Sequence, residues 1–277
     1  MSAPLPTIAS FWHGPPLSWM EQICMMSWRD AGHRFVLYRL VPLEGVPDGI
    51  EQRDARELLA PSGFPMPAED KTAAAIYSDM LRLEILAQTG ATWVDLDAYC
   101  LKPLTLDAPY LFAPGVGSNI LTGVLRLPPE SPALHAMREW LAEPNPIRPW
   151  RRPAHRQAMR KARAAGERWT FRDMPWGTTG PKAMGHFLRQ SGEDVHALPR
   201  ELFYPLFKES VLWLFQPNVP LGALEPEGAY SLHLFGYTRT HLEMWDWRTP
   251  PGSHLERLAR RHGIITKPSG VAALRDD

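Results

Sequence analysis

Two cysteines, Cys24 and Cys100, are all that the 277 residues contain. That is too few for a disulfide framework or an all-cysteine zinc site. Charge of neither sign predominates, with 30 Lys and Arg against 30 Asp and Glu. The balance excludes the basic excess of a nucleic-acid binder, so no nucleic-acid partner is expected. No stretch approaches the roughly 18 consecutive apolar residues that read as a membrane-spanning helix. The first ten residues lack a charged segment followed by an apolar run; no signal peptide is expected, and a cytoplasmic location is. No repeat recurs at solenoid periods. What is present is ordinary for a folded protein. Hydrophobic residues at 44% and charged residues at 22% suffice for one large α/β core without covalent staples.

The N-terminal half alternates short apolar runs with helical patterns. Ile8–Trp12 reads as a buried strand. Ser18 followed by Glu21 has capping-box spacing, with a helix to Gly32, where a C′ glycine belongs. A second strand is expected over 35–40, a Pro-rich loop over 61–67, a helix over 70–89 ended by Gly90, and a strand over 91–96. This βαβ rhythm predicts a mostly parallel sheet. Further strands are expected at 110–113, 119–127 and 230–234, and helices at 132–141, 181–190 and 253–262. The order becomes irregular after residue 140, so the expectation is one α/β domain with C-terminal elaborations.

The chemistry concentrates in Trp93-Val94-Asp95-Leu96-Asp97. Side chains alternate along a strand, which puts Asp95 and Asp97 on one face and Leu96 toward the core. Two carboxylates so placed repel unless a cation neutralises them, and oxygen ligands suit Mg²⁺ or Mn²⁺. Open α/β sheets bind ligands beyond the carboxyl ends of their strands. A solvated turn accounts for the same five residues. The preceding helix adds a second signal. On a helical wheel Asp79 falls between Leu83 and Leu86, inside the apolar stripe, with Arg82 at i+3. A charge there is costly unless paired or used. Either the two form a surface salt bridge worth less than about 1 kcal/mol, or both enter one cleft with Asp95 and Asp97.

Ser78-Asp79-Met80-Leu81-Arg82, Leu86, Gly90, Trp93, Asp95-Leu96-Asp97 and Lys102-Pro103-Leu104 together resemble the signature of D-x-D glycosyltransferases. The resemblance is to the group holding glycosyltransferase family 32, the capsular-polysaccharide transferases and the glucosylating clostridial toxins. Ala91 stands where that pattern has a second glycine. Phe11-Trp12-His13-Gly14, Ser118-Asn119-Ile120, Thr179-Gly180-Pro181 and Ser231-Leu232-His233-Leu234-Phe235 are similar to further family segments, in the family's order.

The resemblance implies a GT-A (nucleotide-diphospho-sugar transferase) fold: a mostly parallel, Rossmann-like sheet flanked by helices, in a single domain over 1–277. Residues 1–130 would form the nucleotide-sugar-binding half, and 131–277 the acceptor-side half with a C-terminal helix. The implied reaction moves a sugar from a UDP- or GDP-sugar to a glycan or glycolipid, with retention and with Mn²⁺ or Mg²⁺. Asp97 would ligate the metal, and Asp95 the metal or the ribose and donor sugar. Asp79 and Arg82 would hold sugar hydroxyls and the pyrophosphate side. Trp12 would stack on the base, His13 and Asn119 would lie in the nucleotide-sugar site, and His233 would complete the metal or phosphate shell. Each outer residue also has a purely structural reading: Trp12 as core, His13 as a loop cap, Asn119 as a turn residue, Thr179-Gly180-Pro181 as a helix start, His233 as a satisfied core histidine. Two other functions fit the same residues: a catalytically degenerate nucleotide- or glycan-binding regulator, and a nucleotide-sugar hydrolase.

Residues 148–172 stand apart. Nine Arg and Lys face a single Glu167 and Asp-free sequence, a local excess of about eight positive charges. The segment is either a solvated helix or loop, or a surface for an anionic membrane or phosphorylated glycan, where each basic residue near the bilayer adds about 1 kcal/mol. Peripheral contact with the inner membrane is the corresponding expectation for location.

Overall fold

The computed structural model describes residues 4–61 and 70–267; most of the loop expected over 61–67 lies outside the described residues. The apolar runs become strands with alternate residues feeding two cores. Along β1 (Ile8–Trp12) and β2 (Phe35–Arg39), Ala9, Phe11, Val36 and Tyr38 enter one core, while Ile8, Phe35 and Leu37 enter the other. Helix α1 (Trp19–Asp30) starts at Ser18, whose Oγ accepts from Met20 N at 3.2 Å within a capping box closed by Glu21. Asp70 caps α2 (Lys71–Thr89), and Gly90 ends it in the left-handed conformation at φ +64°.

The sheet continues with β3 (Glu51–Asp54), β4 (Thr92–Val94), β6 (Leu111–Pro114) and β7 (Ile120–Arg126), in the order β3-β2-β1-β4-β7-β6. The pairings among β3, β2, β1 and β4 are parallel; β7 runs antiparallel between β4 and β6. A separate antiparallel ribbon joins β5 (Ala98–Cys100) to β8 (Ser231–His233). This mixed α/β architecture, with a mostly parallel sheet between helices, is the class expected.

On one face α2 packs with α3 (Pro132–Leu141) and α5 (Ala183–Ser191) around Trp93, Leu125 and Phe187. On the other, α1 packs with the ribbon and with α8 (His254–Arg261). Along the chain, α4 (Pro153–Ala164) falls between α3 and α5, and the single turn α6 (Leu221–Leu224) and α7 (Phe235–Met244) fall between α5 and α8. Helix α4 carries the middle of the basic segment and buries no residue. Among the described residues, no helix is long and apolar enough to cross a membrane.

Four departures from expectation have local causes. Strand β3 reads Glu-Gln-Arg-Asp and has no apolar alternation; its place at the sheet edge demands none. Strand β5 has three residues, and its pairing partner β8 lies more than 130 residues away. Strand β4 stops at Val94, so Asp95-Leu96-Asp97 is a turn closed by Ala98 N donating to Asp95 O at 2.9 Å. The Thr179-Gly180-Pro181 segment is a π-turn, Thr178–Lys182, with Gly180 at φ −104°, ψ −109°, and α5 begins only at Ala183.

Candidate active site

Strand order places the site. The connection from β1 runs to β2 on one side, while β4 lies on the other, so β1 and β4 diverge at a topological switch point. Trp12 ends β1, and Asp95 follows the last residue of β4. Beyond these ends lies a cleft of about 550 Å³, within the usual range for small-ligand sites. It is lined by Trp12, Asp79, Arg82, Asp95 and Asp97, with Glu21, Thr179 and Arg239.

The turn after β4 gathers the two carboxylates. Leu96 is buried beneath, as expected, but tight reversal of the chain rather than strand alternation brings Asp95 and Asp97 together. Asp95 is held from three sides. Its Oδ1 accepts from Trp93 Nε1 at 2.7 Å and Arg82 Nη2 at 2.9 Å, and its Oδ2 lies 3.7 Å from His233 Nε2. Burial pushes its carboxyl upward, but Arg82, His233 and Trp93 together hold it below the ordinary value. Burial raises the Asp97 carboxyl; the attraction of His233 only partly offsets it, and Asp95 adds repulsion.

Arg82 links helix and turn. Its Nη1 reaches Asp79 Oδ1 at 3.1 Å while Nη2 holds Asp95, and its guanidinium lies 4.7 Å from the Trp93 ring centroid. With 6% exposure it is no surface salt-bridge partner. Asp79 takes a second bond at Oδ2 from Thr179 Oγ1 at 2.6 Å. Burial raises its carboxyl despite Arg82 and Thr179. Gly180 is required here, because a Cβ would lie 2.8 Å from Asp79 Oδ1.

His233 sits behind the carboxylates, with Nε2 3.2 Å from Asp97 Oδ1. Burial lowers its pKa, but Asp97 and Asp95 outweigh it and the net shift is upward. Its Nδ1 accepts from Phe235 N at 3.2 Å, at a residue held in the left-handed region at φ +59°. In the neutral ring this bond puts the proton on Nε2, facing the carboxylates. Direct metal ligation by Nε2 would require that proton to leave and the Phe235 bond to Nδ1 to be given up. Gly123 makes room for the ring: a Cβ there would lie 2.2 Å from Nε2.

The donor set of Asp95, Asp97 and His233 places ligand atoms within 4.8 Å of one another. Half-buried carboxylates this close, one of them raised, are relieved by a divalent cation, so the residues fit Mg²⁺ or Mn²⁺.

Trp12 lines the cleft as its position on β1 suggests, with Nε1 donating to Pro15 O at 2.8 Å. His13 is buried and stacked near Phe11, outside the set of lining residues. Asn119 belongs to the β6–β7 turn, where its carbonyl accepts from Gly115 N at 2.9 Å, and it too lies outside the lining.

Sequence reasoning missed three residues. Arg239 of α7 pairs with the buried Glu21, and its guanidinium lies 5.2 Å from the Trp12 ring and 5.3 Å from the Trp247 ring. Tyr204 is fully enclosed; its hydroxyl accepts from Val124 N at 3.0 Å and its ring packs 5.2 Å from His233. Gly123 is the third. None lies in a motif, although a capping-box glutamate on a buried helix face was a signal that Glu21 needs a cation.

No protein-family model and no curated protein matches the chain. Among solved structures it is similar to one titled PaToxG Glycosyltransferase, with 11% sequence identity, a TM-score of 0.45, and coverage of 69% of this chain and 72% of that one. A likeness this weak carries no argument, and the chemistry is read from the side chains above.

Proposed function

We propose that this chain is a divalent-metal-dependent glycosyltransferase of the D-x-D type. The observation that carries the reading is the convergence of Asp95 and Asp97 with Arg82 and Asp79 at the β1–β4 switch point, in one cleft walled by Trp12. The motif set from Ser78 to Leu104 supports the group that contains family 32. The substrates that follow are a UDP- or GDP-sugar donor and a glycan or glycolipid acceptor, with retention at the anomeric carbon. The basic segment 148–172 supports peripheral attraction to an anionic inner-membrane surface from the cytoplasm, where lipid-linked acceptors are held.

In the reaction the bond from the anomeric carbon to the β-phosphate oxygen breaks, and the nucleoside diphosphate leaves with the electron pair. The acceptor hydroxyl oxygen bonds to that carbon and gives up its proton to the departing β-phosphate oxygen. Bound Mn²⁺ or Mg²⁺ supplies charge neutralisation and orientation at the phosphates. Asp97 and Asp95 would hold that ion, with Asp95 fixed in place by Trp93 and Arg82. His233 presents an N–H that keeps the two carboxylates from spreading apart. Each Asp79 oxygen already accepts one bond, from Arg82 or Thr179, and retains capacity for a donor-sugar hydroxyl. Trp12 offers a ring for the base, with Arg239 stacked against it.

The test is nucleoside diphosphate release from UDP- and GDP-sugars with Mn²⁺. Asp97→Ala is expected to remain folded, because the residue faces the cleft, and to lose turnover and Mn²⁺-dependent nucleotide binding. Unchanged turnover by the folded variant overturns the reading.

A further inference from the structure

The wall built on α2 carries a side chain that folding does not account for. Trp176 is 71% exposed, and of the large exposed apolar residues described it is the one lining the cleft. It is not on a loose loop. Thr178 N and Oγ1 both donate to Pro175 O, at 3.2 and 2.6 Å, and Gly177 takes φ +74°, ψ +10°. These are the marks of a type II turn with glycine at its third position, which leaves Trp176 at the tip. The segment is anchored on both sides. Before the turn, Arg172 pairs with Asp70 at 2.6 Å at the start of α2; after it, Thr179 donates to Asp79. An indole held in water by a pinned turn, three residues from a hydroxyl bonded to Asp79, is pre-organised for a ligand rather than for the core.

We infer that Trp176 is the platform for a pyranose ring of the acceptor. The inference rests on the transferase reading above. A pyranose has an apolar face of C–H groups and a rim of hydroxyls. An exposed indole face matches the first, and the neighbouring Arg172 and Thr178, both lining the cleft, offer polar groups for the second. Of the other aromatic residues lining the cleft, Trp12 lies beside Arg239, which pairs with Glu21, on a separate wall. The division assigns the Trp12 wall to the nucleotide and the Trp176 wall to the acceptor sugar.

The experiment compares wild type, Trp176→Ala and Trp176→Phe in two assays. The first measures the shift in melting temperature on adding UDP or GDP with Mn²⁺. The second probes an immobilised panel of pyranosides and oligosaccharides with protein saturated in the same nucleotide and Mn²⁺. Trp176→Ala is expected to bind nucleotide within twofold of wild type while glycan binding falls at least tenfold; Trp176→Phe is expected to retain a substantial part of it. Undiminished glycan binding by Trp176→Ala overturns the assignment, as does parallel loss of nucleotide binding or the absence of glycan binding by wild type. If neither nucleotide with Mn²⁺ stabilises the wild type, the transferase reading itself fails, and this inference with it.

Discussion

Arg82 shows how burial changes the meaning of a charge pair. An exposed i, i+3 bridge to Asp79 would be worth less than about 1 kcal/mol, yet Arg82 also holds Asp95 and is 6% exposed. Removing it leaves two carboxylates beside each other without their cation. Arg82→Met is therefore expected to cost about 3–5 kcal/mol, the range for breaking a buried pair, read by denaturant unfolding. It should also abolish nucleotide turnover, so loss of stability at this position does not argue against a functional role. Gly123 is a second residue-scale case. In Gly123→Ala the new methyl must displace His233, which stands at the Asp97 carboxylate. A stability loss of about 1–3 kcal/mol is expected from overpacking, with at least a tenfold fall in Mn²⁺-dependent nucleotide affinity. Retention of wild-type affinity would show that His233 does not position the pair.

At the scale of elements, Glu193 fastens the helical layer beside the cleft. It is buried, and its carboxylate accepts from Ala133 N at the start of α3 at 2.7 Å, from Tyr110 Oη at 3.0 Å and from Ser191 Oγ at 2.5 Å. Burial raises its pKa, but the donors from Ser131, Ser191, Ala133 and Tyr110 more than compensate and hold it below the ordinary value. The anion is also favoured by the helix N-terminus. With the folded pKa depressed, its contribution is present above the unfolded value of about 4.3 and is lost as pH falls through the folded one. Glu193→Gln should accordingly cost about 1–3 kcal/mol near neutrality, and the gap from wild type should close below about pH 4. A gap that stays constant down to the acid transition would contradict this account.

At the scale of the whole molecule, zero net charge conceals a separation of charge. The surplus of the 148–172 segment is partly neutralised at home, by Arg163 near Glu143 at 3.7 Å and Arg172 against Asp70. Arg151, Arg152, Arg160 and Lys161 remain exposed. Co-sedimentation with vesicles containing anionic lipid is expected at low salt, and should fade as the screening length falls from about 10 Å at 0.1 M to about 3 Å at 1 M. Changing those four residues to Gln should remove most of the binding without altering nucleotide turnover in solution. Equal sedimentation of wild type and variant would leave α4 as a solvated face.

Local pattern alone determined β1, α1, α2 and α3, because caps, glycines and apolar period act within a few residues of the chain. It also marked Asp79, Arg82, Asp95 and Asp97 as candidate site residues, which the structure brings to one cleft, since charge inside an apolar stripe and paired carboxylates after a strand are local anomalies. What the pattern could not decide depends on partners far along the chain. Thr179 reaches Asp79 across 100 residues, and Arg239 reaches Glu21 across 218. Strand β5 exists through β8, and with it His233 arrives behind Asp97. The shortening of β4 had the same origin: Asp95 N donates to Gly123 O at 2.8 Å, and the chain then turns away to meet β8. Those contacts are set by packing of the two helical layers and the ribbon. A sequence records them only as separate residues, and the tertiary structure made them one site.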